Sequence, residues 1–328
     1  MILQPDSHPA RRASVPRPEK RERRAAAVVV SLNPPGNFEA RVCALVARFE
    51  RIFLIDNGSD PVLYDAVLDR LGARRGVQLL RNGRNRGIAA ALNQGMEAAR
   101  AAGFGWALLL DHDSVPAADM VALQFRALAR WPEPDRVAVL VPSVRCVDTQ
   151  RRWRWPRAGR SGIGRFRFVY SDRQRCPIDV DIAIGSGMLV HLGHDRLLGG
   201  MREDLFVDAV DIEYCLRVRD HGLQIVAVPA AVLHHRLGAM SRRRIGRLQA
   251  FPTHHSPLRH YYIARNRVHL LRWYARRDPR WTTYEAMAAA KLAFKVALFE
   301  RNRREKFRMM VEGLRDGLLG RTGARPET

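Results

Sequence analysis

The chain has 328 residues, of which 47% are hydrophobic and 27% charged, with a formal net charge of +23; that length suits one large α/β domain with an appendage, or two modest domains. No run approaches the roughly 18–20 unbroken apolar residues of a membrane helix, and the N-terminus lacks the apolar stretch of a secretory signal, so a cytoplasmic chain is expected. Cys43, Cys146, Cys176 and Cys215 show no CxxC spacing, which argues against a zinc knuckle or a thioredoxin-like motif.

Residues 1–24 are rich in Pro and Arg without periodicity and are expected to form a disordered basic arm. From Ala25 the pattern changes. AAAVVVSL (25–32) is a β-branched run, 38–50 is helix-like, and RIFLID (51–56) is a second buried strand. A helix near 62–71 and a strand at 77–80 follow. The Gly/Asn-rich loop 82–87 then opens a helix from Ile88 to about Ala102. WALLLD (106–111) is a fourth strand ending in DHDS, followed by a helix around 117–130 and a strand at 137–144. Strands apolar on both faces, alternating with helices, predict a mostly parallel sheet flanked by helices. Ligands in such sheets bind beyond the carboxyl ends of the strands, where Asp56, the 82–87 loop and Asp111 to Asp113 all fall.

Residues 145–178 show no clear period and read as a surface excursion, 182–190 as a strand broken by small residues, 207–222 as a helix, and 223–229 as a strand leading into a turn-forming end at 231–238. Beyond lies a basic, helical extension, 239–328. Residues 236–328 hold twenty-two Lys/Arg against seven acids, leaving the middle of the chain nearly balanced. This distribution opposes a core built around nucleic acid and fits a domain whose C-terminal part meets an anionic surface.

Two carboxylates one residue apart at a strand end, Asp111 and Asp113, can present oxygens to one hard cation that bridges a diphosphate. The same residues also make ordinary turns and helix caps. Asp56 ends a strand in an NG turn. The 82–87 loop resembles a phosphate cradle at a helix N-terminus, without matching GxGxxG or a P-loop. Asp208 and Asp211 lie three apart near a helix start, where acids cap N–H groups or serve as a general base. His234 and His235 follow a strand.

In that order these pieces resemble glycosyltransferase family 2 with the GT-A fold, and bacterial rhamnosyltransferases in particular. The residues that carry the likeness are IDNGSD (55–60), NRGIAAALNQGMEAA (85–99), LLLDHDS (108–114), SGMLV (186–190), LFVDAVDIEYCLR (205–217), VPAAVLHHRLG (228–238) and HSPLRHYYIARN (255–266). The resemblance implies a nucleotide-sugar-binding and catalytic domain at 25–238. Within it, Asp56 would contact the donor base, and Asn85 with Gly87 would shape the nucleotide pocket. Asp111 would meet the donor ribose or the metal, Asp113 would ligate the metal, and Asp211 would be the general base. His235 would be a further metal ligand, with His234 as the alternative. The family's usual residue between the two acids is Gln; here it is His112.

The reaction that the resemblance implies is the inverting transfer of the family's rhamnosyl branch: L-rhamnose moves from dTDP-L-rhamnose to a polysaccharide or lipid-linked saccharide acceptor. Mg2+ or Mn2+ is the expected cofactor, with a His ligand favouring Mn2+. The competing readings are a UDP-hexose donor, a nucleotidyltransferase, and a nucleic-acid-binding protein. The NPPGN turn after the first strand opposes the nucleotidyltransferase. In the tail, Phe307, Met310, Val311, Leu314 and Leu318 recur at helical spacing beside Arg301, Arg303, Arg304, Lys306 and Arg308. That pattern allows peripheral contact with an anionic membrane, packing on the catalytic domain, or a homo-oligomer contact.

Overall fold

The computed structural model describes residues 24–326 except 151, 159–165, 237–242, 246–247, 251 and 253. The expected N-terminal arm lies almost wholly outside the described residues. The first half alternates strand and helix: β1 (Ala25–Ser31), α1 (Phe38–Val46), β2 (Ile52–Asp56), α2 (Pro61–Gly72), β3 (Val77–Arg81), α3 (Ile88–Ala101) and β4 (Trp106–Asp111). Then come β5 (Val115–Pro116), α4 (Met120–Ala129), β6 (Val137–Cys146), β7 (Arg154–Ala158), β8 (Phe166–Tyr170), β9 (Ile178–Val180), β10 (Leu189–His191), α5 (Leu192–Leu198), α6 (Val210–Asp220) and β11 (Gln224–His235). A short hairpin, β12 (Arg243–Ile245) with β13 (Leu248–Ala250), precedes α7 (Pro257–Tyr274), α8 (Pro279–Phe299) and α9 (Arg303–Leu318).

The main sheet runs β3-β2-β1-β4-β10-β6-β11-β5, with β9 also on β11. Pairs β1–β2, β2–β3, β1–β4 and β6–β11 are parallel, while β10 runs antiparallel between β4 and β6. The unbroken apolar strands follow from burial on both faces. In β1, Ala26, Val28 and Val30 join a core with α3, α6 and α7. Ala27 and Val29 point the other way, into a core with α1, α2 and α4. One strand therefore feeds both layers with a period of two.

Three expectations need correcting. The 145–178 stretch is more than a surface excursion: β7 and β8 pair with Trp155 opposite Val169, and Trp155 is buried. The expected strand at 182–190 shortens to β10, because Gly187 turns the chain at φ +85 with no room for a Cβ beside Pro142. The expected turn-forming end at 231–238 is strand as far as His235, because after a register shift between Val228 and Val232 β11 pairs again with β6, setting His235 opposite Cys146.

Candidate active site

Loops from several elements meet beyond the carboxyl ends of the strands. The first follows β2. Asp56 is buried and accepts a hydrogen bond from the Ser59 N–H (3.3 Å). Next to it Asn57 organises the 82–87 loop. Its Nδ2 donates to Asn85 Oδ1 (3.0 Å) and to the Gly87 carbonyl (3.2 Å), and its Oδ1 accepts from the Arg86 N–H (3.1 Å). Gly87 (φ +87) lies so close to Phe206 that an added Cβ would stand 2.6 Å from the Phe206 carbonyl oxygen. That contact ties the expected nucleotide pocket to the loop before α6.

The second loop follows β4. Arg41 of α1 donates to the His112 carbonyl (3.1 Å), fixing the turn from behind. Asp111, Asp113 and His235 come together there, with one candidate ligand atom from each lying within 4.8 Å of the others. His235 Nδ1 is 3.0 Å from Asp113 Oδ1, its Nε2 is 3.7 Å from Asp111 Oδ2, and Ser114 Oγ lies 3.1 Å from Nδ1. Burial pulls the His235 imidazole down, but the Asp113 hydrogen bond and the Asp111 and Asp113 charges outweigh it and hold it above its ordinary value. Burial pushes Asp113 up, and the His235 hydrogen bond and charge, with His112 and a backbone hydrogen bond, more than offset that and keep it below its ordinary value. Two carboxylates and an imidazole form a donor set that suits a divalent cation such as Mg2+ or Mn2+, and their spacing fits one ion. His234 is not in the group; as the neighbour of His235 on a strand it points to the opposite face.

The third loop, 206–209, departs from the expected helix. Phe206, Asp208 and Ala209 all take positive φ (63°, 62° and 62°), and α6 begins only at Val210. Positive φ at three non-glycine residues is strained backbone, which persists where surrounding structure enforces it. The enforcing residue is Asn266 of α7. Its Nδ2 lies within hydrogen-bonding distance of the carbonyls of Leu205 (2.9 Å), Val207 (2.7 Å) and Asp208 (2.9 Å), and Arg265 donates to Leu205 as well (3.0 Å).

Neither acid is the N-cap of α6, which is Ala209 with no side-chain bond, but Asp211 stands in the first turn and satisfies the Ile212 N–H there, as the simpler expectation has it for that acid and not for Asp208. Asp211 accepts from the Gly185 N–H (3.0 Å) and the Ile212 N–H (2.9 Å). Burial pushes its carboxyl up, against the pull of these two bonds. Asp208 pairs with Arg259 of α7, which donates through Nη2 (2.9 Å) and Nε (3.0 Å). Burial draws the Arg259 guanidinium down, but Asp208, with Asp111 and Asp211 beyond it, holds it above its ordinary value. Arg259 therefore stands in the field of the acids at this sheet edge. Asn57, Arg259 and Asn266 carry no role in the sequence analysis, although Asn57 lies inside IDNGSD and the other two inside HSPLRHYYIARN.

The model of the family described as Glycosyl transferase family 2 matches residues 27–192. A dTDP-rhamnosyl transferase RfbF of Shigella flexneri is 28% identical over 247 residues, covering 75% of this chain and 79% of that protein. Among solved structures, GalNAc-T7 with UDP, GalNAc and Mn2+ superposes with a TM-score of 0.54 at 16% identity, over 74% of this chain but only 47% of its own. S. aureus TarS 1-349 has a TM-score of 0.47 at 9% identity, over 90% of this chain and 72% of its own.

Proposed function

The chain belongs to glycosyltransferase family 2 and has a GT-A type fold, and on that premise we propose that it is an inverting, metal-dependent rhamnosyltransferase. Its donor is dTDP-L-rhamnose and its acceptor a polysaccharide or lipid-linked saccharide. The observation that carries this reading is the convergence of Asp111, Asp113 and His235 at one sheet edge where Asp211 is also held. The donor choice draws support from the RfbF relative, named for dTDP-rhamnosyl transfer. The metal draws support from the donor set and from GalNAc-T7, whose structure contains Mn2+.

Asp113 and His235 would hold the cation, with Asp111 beside the donor ribose or as a further ligand. Asp56 contacts the base, and Asn85 with Gly87 shapes the nucleotide pocket. When bound, the cation neutralises charge on the donor diphosphate. Asp211 accepts the proton of the acceptor hydroxyl, whose oxygen attacks the anomeric carbon from the side opposite the diphosphate. The new C–O bond forms as the bond to the diphosphate breaks, and the electron pair leaves on the nucleoside diphosphate. One displacement inverts the anomeric configuration. Arg259 supplies a second positive charge to the leaving diphosphate, with Asp208 as its counter-ion.

Competition between dTDP-L-rhamnose and UDP-hexoses at equal concentration, read as nucleoside diphosphate released, tests the donor. Preference for dTDP-L-rhamnose is expected. Preference for a UDP-hexose moves the chain to another branch of the family.

A further inference from the structure

Two C-terminal helices leave apolar stripes outside. An amphipathic helix of a globular domain normally turns its apolar stripe to the core. The buried residues of α9 are instead Lys306, Met309, Gly313, Asp316 and Gly317. Gly313 and Gly317 sit so tightly on α7 that an added Cβ would stand 2.3 Å from the Tyr261 carbonyl oxygen and 2.8 Å from that of Arg265. Val311, Leu314 and Leu318, on the other side of the helix, are 64%, 43% and 64% exposed. α8 repeats the arrangement: Trp281, Glu285 and Val296 are buried, while Met287, Phe294 and Leu298 are 56%, 56% and 51% exposed. Their spacings of seven and four put these three on one helical face. Internal packing therefore does not account for either stripe.

The charges around the stripes are sorted by burial. Glu300 and Asp316 lie inside, paired with Lys306 and with Arg315 and Arg321, and Glu312 pairs with Arg325. Lys291, Arg301, Arg303, Arg304 and Arg308 are exposed, with Glu305 the acid among them.

We infer that α8 and α9 form a docking surface for an anionic lipid bilayer. The apolar stripes enter the headgroup boundary and the Arg/Lys rim meets lipid phosphates. No helix of the described residues is long and apolar enough to cross a membrane, so the contact is interfacial. Charge selects a bilayer over a second copy of the chain. Two copies meeting through this face would oppose their basic rims, each on a chain of net +23, whereas anionic headgroups neutralise them. The inference goes beyond the transfer reaction and its test needs no donor.

The test is co-sedimentation of the full chain with phosphatidylcholine vesicles made with or without phosphatidylglycerol. Binding is expected only to the anionic vesicles, strong at low salt and fading as salt rises. Combining Val311→Ser, Leu314→Ser and Leu318→Ser should lower partitioning by about tenfold or more. Arg304→Gln and Arg308→Gln should each lower it by about fivefold. All five positions are exposed, so melting temperatures should hold, and nucleoside diphosphate binding, measured without vesicles, reports on the donor site separately. Equal binding to neutral vesicles, no binding at low salt, or a lipid-free dimer that the triple substitution dissolves would each overturn the assignment.

Discussion

Asp211 Oδ2 accepts a 3.0 Å hydrogen bond from the backbone N–H of Gly185. The side chain expected to act as base is therefore aimed by the small-residue segment before β10 as well as by its own helix. An added Cβ at Gly185 would stand 3.5 Å from the Asp211 Cβ, an ordinary contact, so what this position supplies is its backbone N–H. The segment before β10 meets the proposed base through that one backbone donor.

Asp211→Asn keeps the size of the side chain but cannot take up a proton. Turnover should fall by about 100-fold or more while donor binding survives. Asp208→Asn should cost less, because that acid pairs with Arg259 and has no part in proton transfer in the proposed mechanism. Steady-state kinetics on both variants, with donor binding measured separately, checks this. A dead Asp208→Asn beside a nearly normal Asp211→Asn would reverse the assignment.

The acid limb of the pH–rate profile follows from the same residue. The proposed base would work ionised, and burial raises the Asp211 pKa above the ordinary carboxylate value. On lowering pH, kcat/KM should therefore begin to fall earlier than an unshifted aspartate would allow. Asp211→Asn should remove that limb from whatever activity remains. A profile in which the limb persists in the variant would assign the ionisation to another group.

The strands and the sheet edge were legible because burial on both faces leaves an unmistakable apolar run, as in residues 25–31 and 106–110. Asp111 and Asp113 could be placed because they directly follow such a run. His235 was suggested by the family likeness, since local pattern ended the strand six residues early. Asn57, Arg259 and Asn266 escaped because their partners are remote. Asn266 lies 59 residues from Val207 and Arg259 lies 51 from Asp208. A short-range period cannot reveal such pairs. The positive φ of Phe206, Asp208 and Ala209 is invisible for the same reason, since tertiary contacts impose it.

Chelation tests the metal group. EDTA should abolish turnover until Mg2+ or Mn2+ is returned, and Asp113→Ala and His235→Ala should each weaken metal-dependent donor binding. His234→Ala should not, because His234 is outside the three-residue group. Full activity in EDTA, in protein shown to be metal-free, would remove the cation from the mechanism.

Arg259→Ala should weaken nucleoside diphosphate binding by about 10- to 100-fold, the range of a charge-assisted contact, and weaken nucleoside monophosphate binding less. Asp208→Asn should not mimic it, since releasing the counter-ion leaves the guanidinium in place. If the two variants lose diphosphate and monophosphate binding equally, the pair only docks α7 on the loop.

Asn266→Ala probes the support of that loop. Asn266 is fully buried, and its Nδ2 faces the Leu205, Val207 and Asp208 carbonyls, where the backbone holds positive φ at three non-glycine residues. Removing the amide strands buried acceptors, at a cost of about 1–3 kcal/mol, and it also removes what enforces the strained turn. The turn carries Phe206, which touches Gly87 of the nucleotide pocket, and it leads directly into Asp211. Both a lower melting temperature and a lower kcat are therefore expected, whereas the Asp111, Asp113 and His235 group, held by β4 and β11, should still bind metal. Denaturation, kinetics and metal titration of the one variant separate these effects. A drop in melting temperature with kcat unchanged would show that Asn266 stabilises the fold without shaping the site.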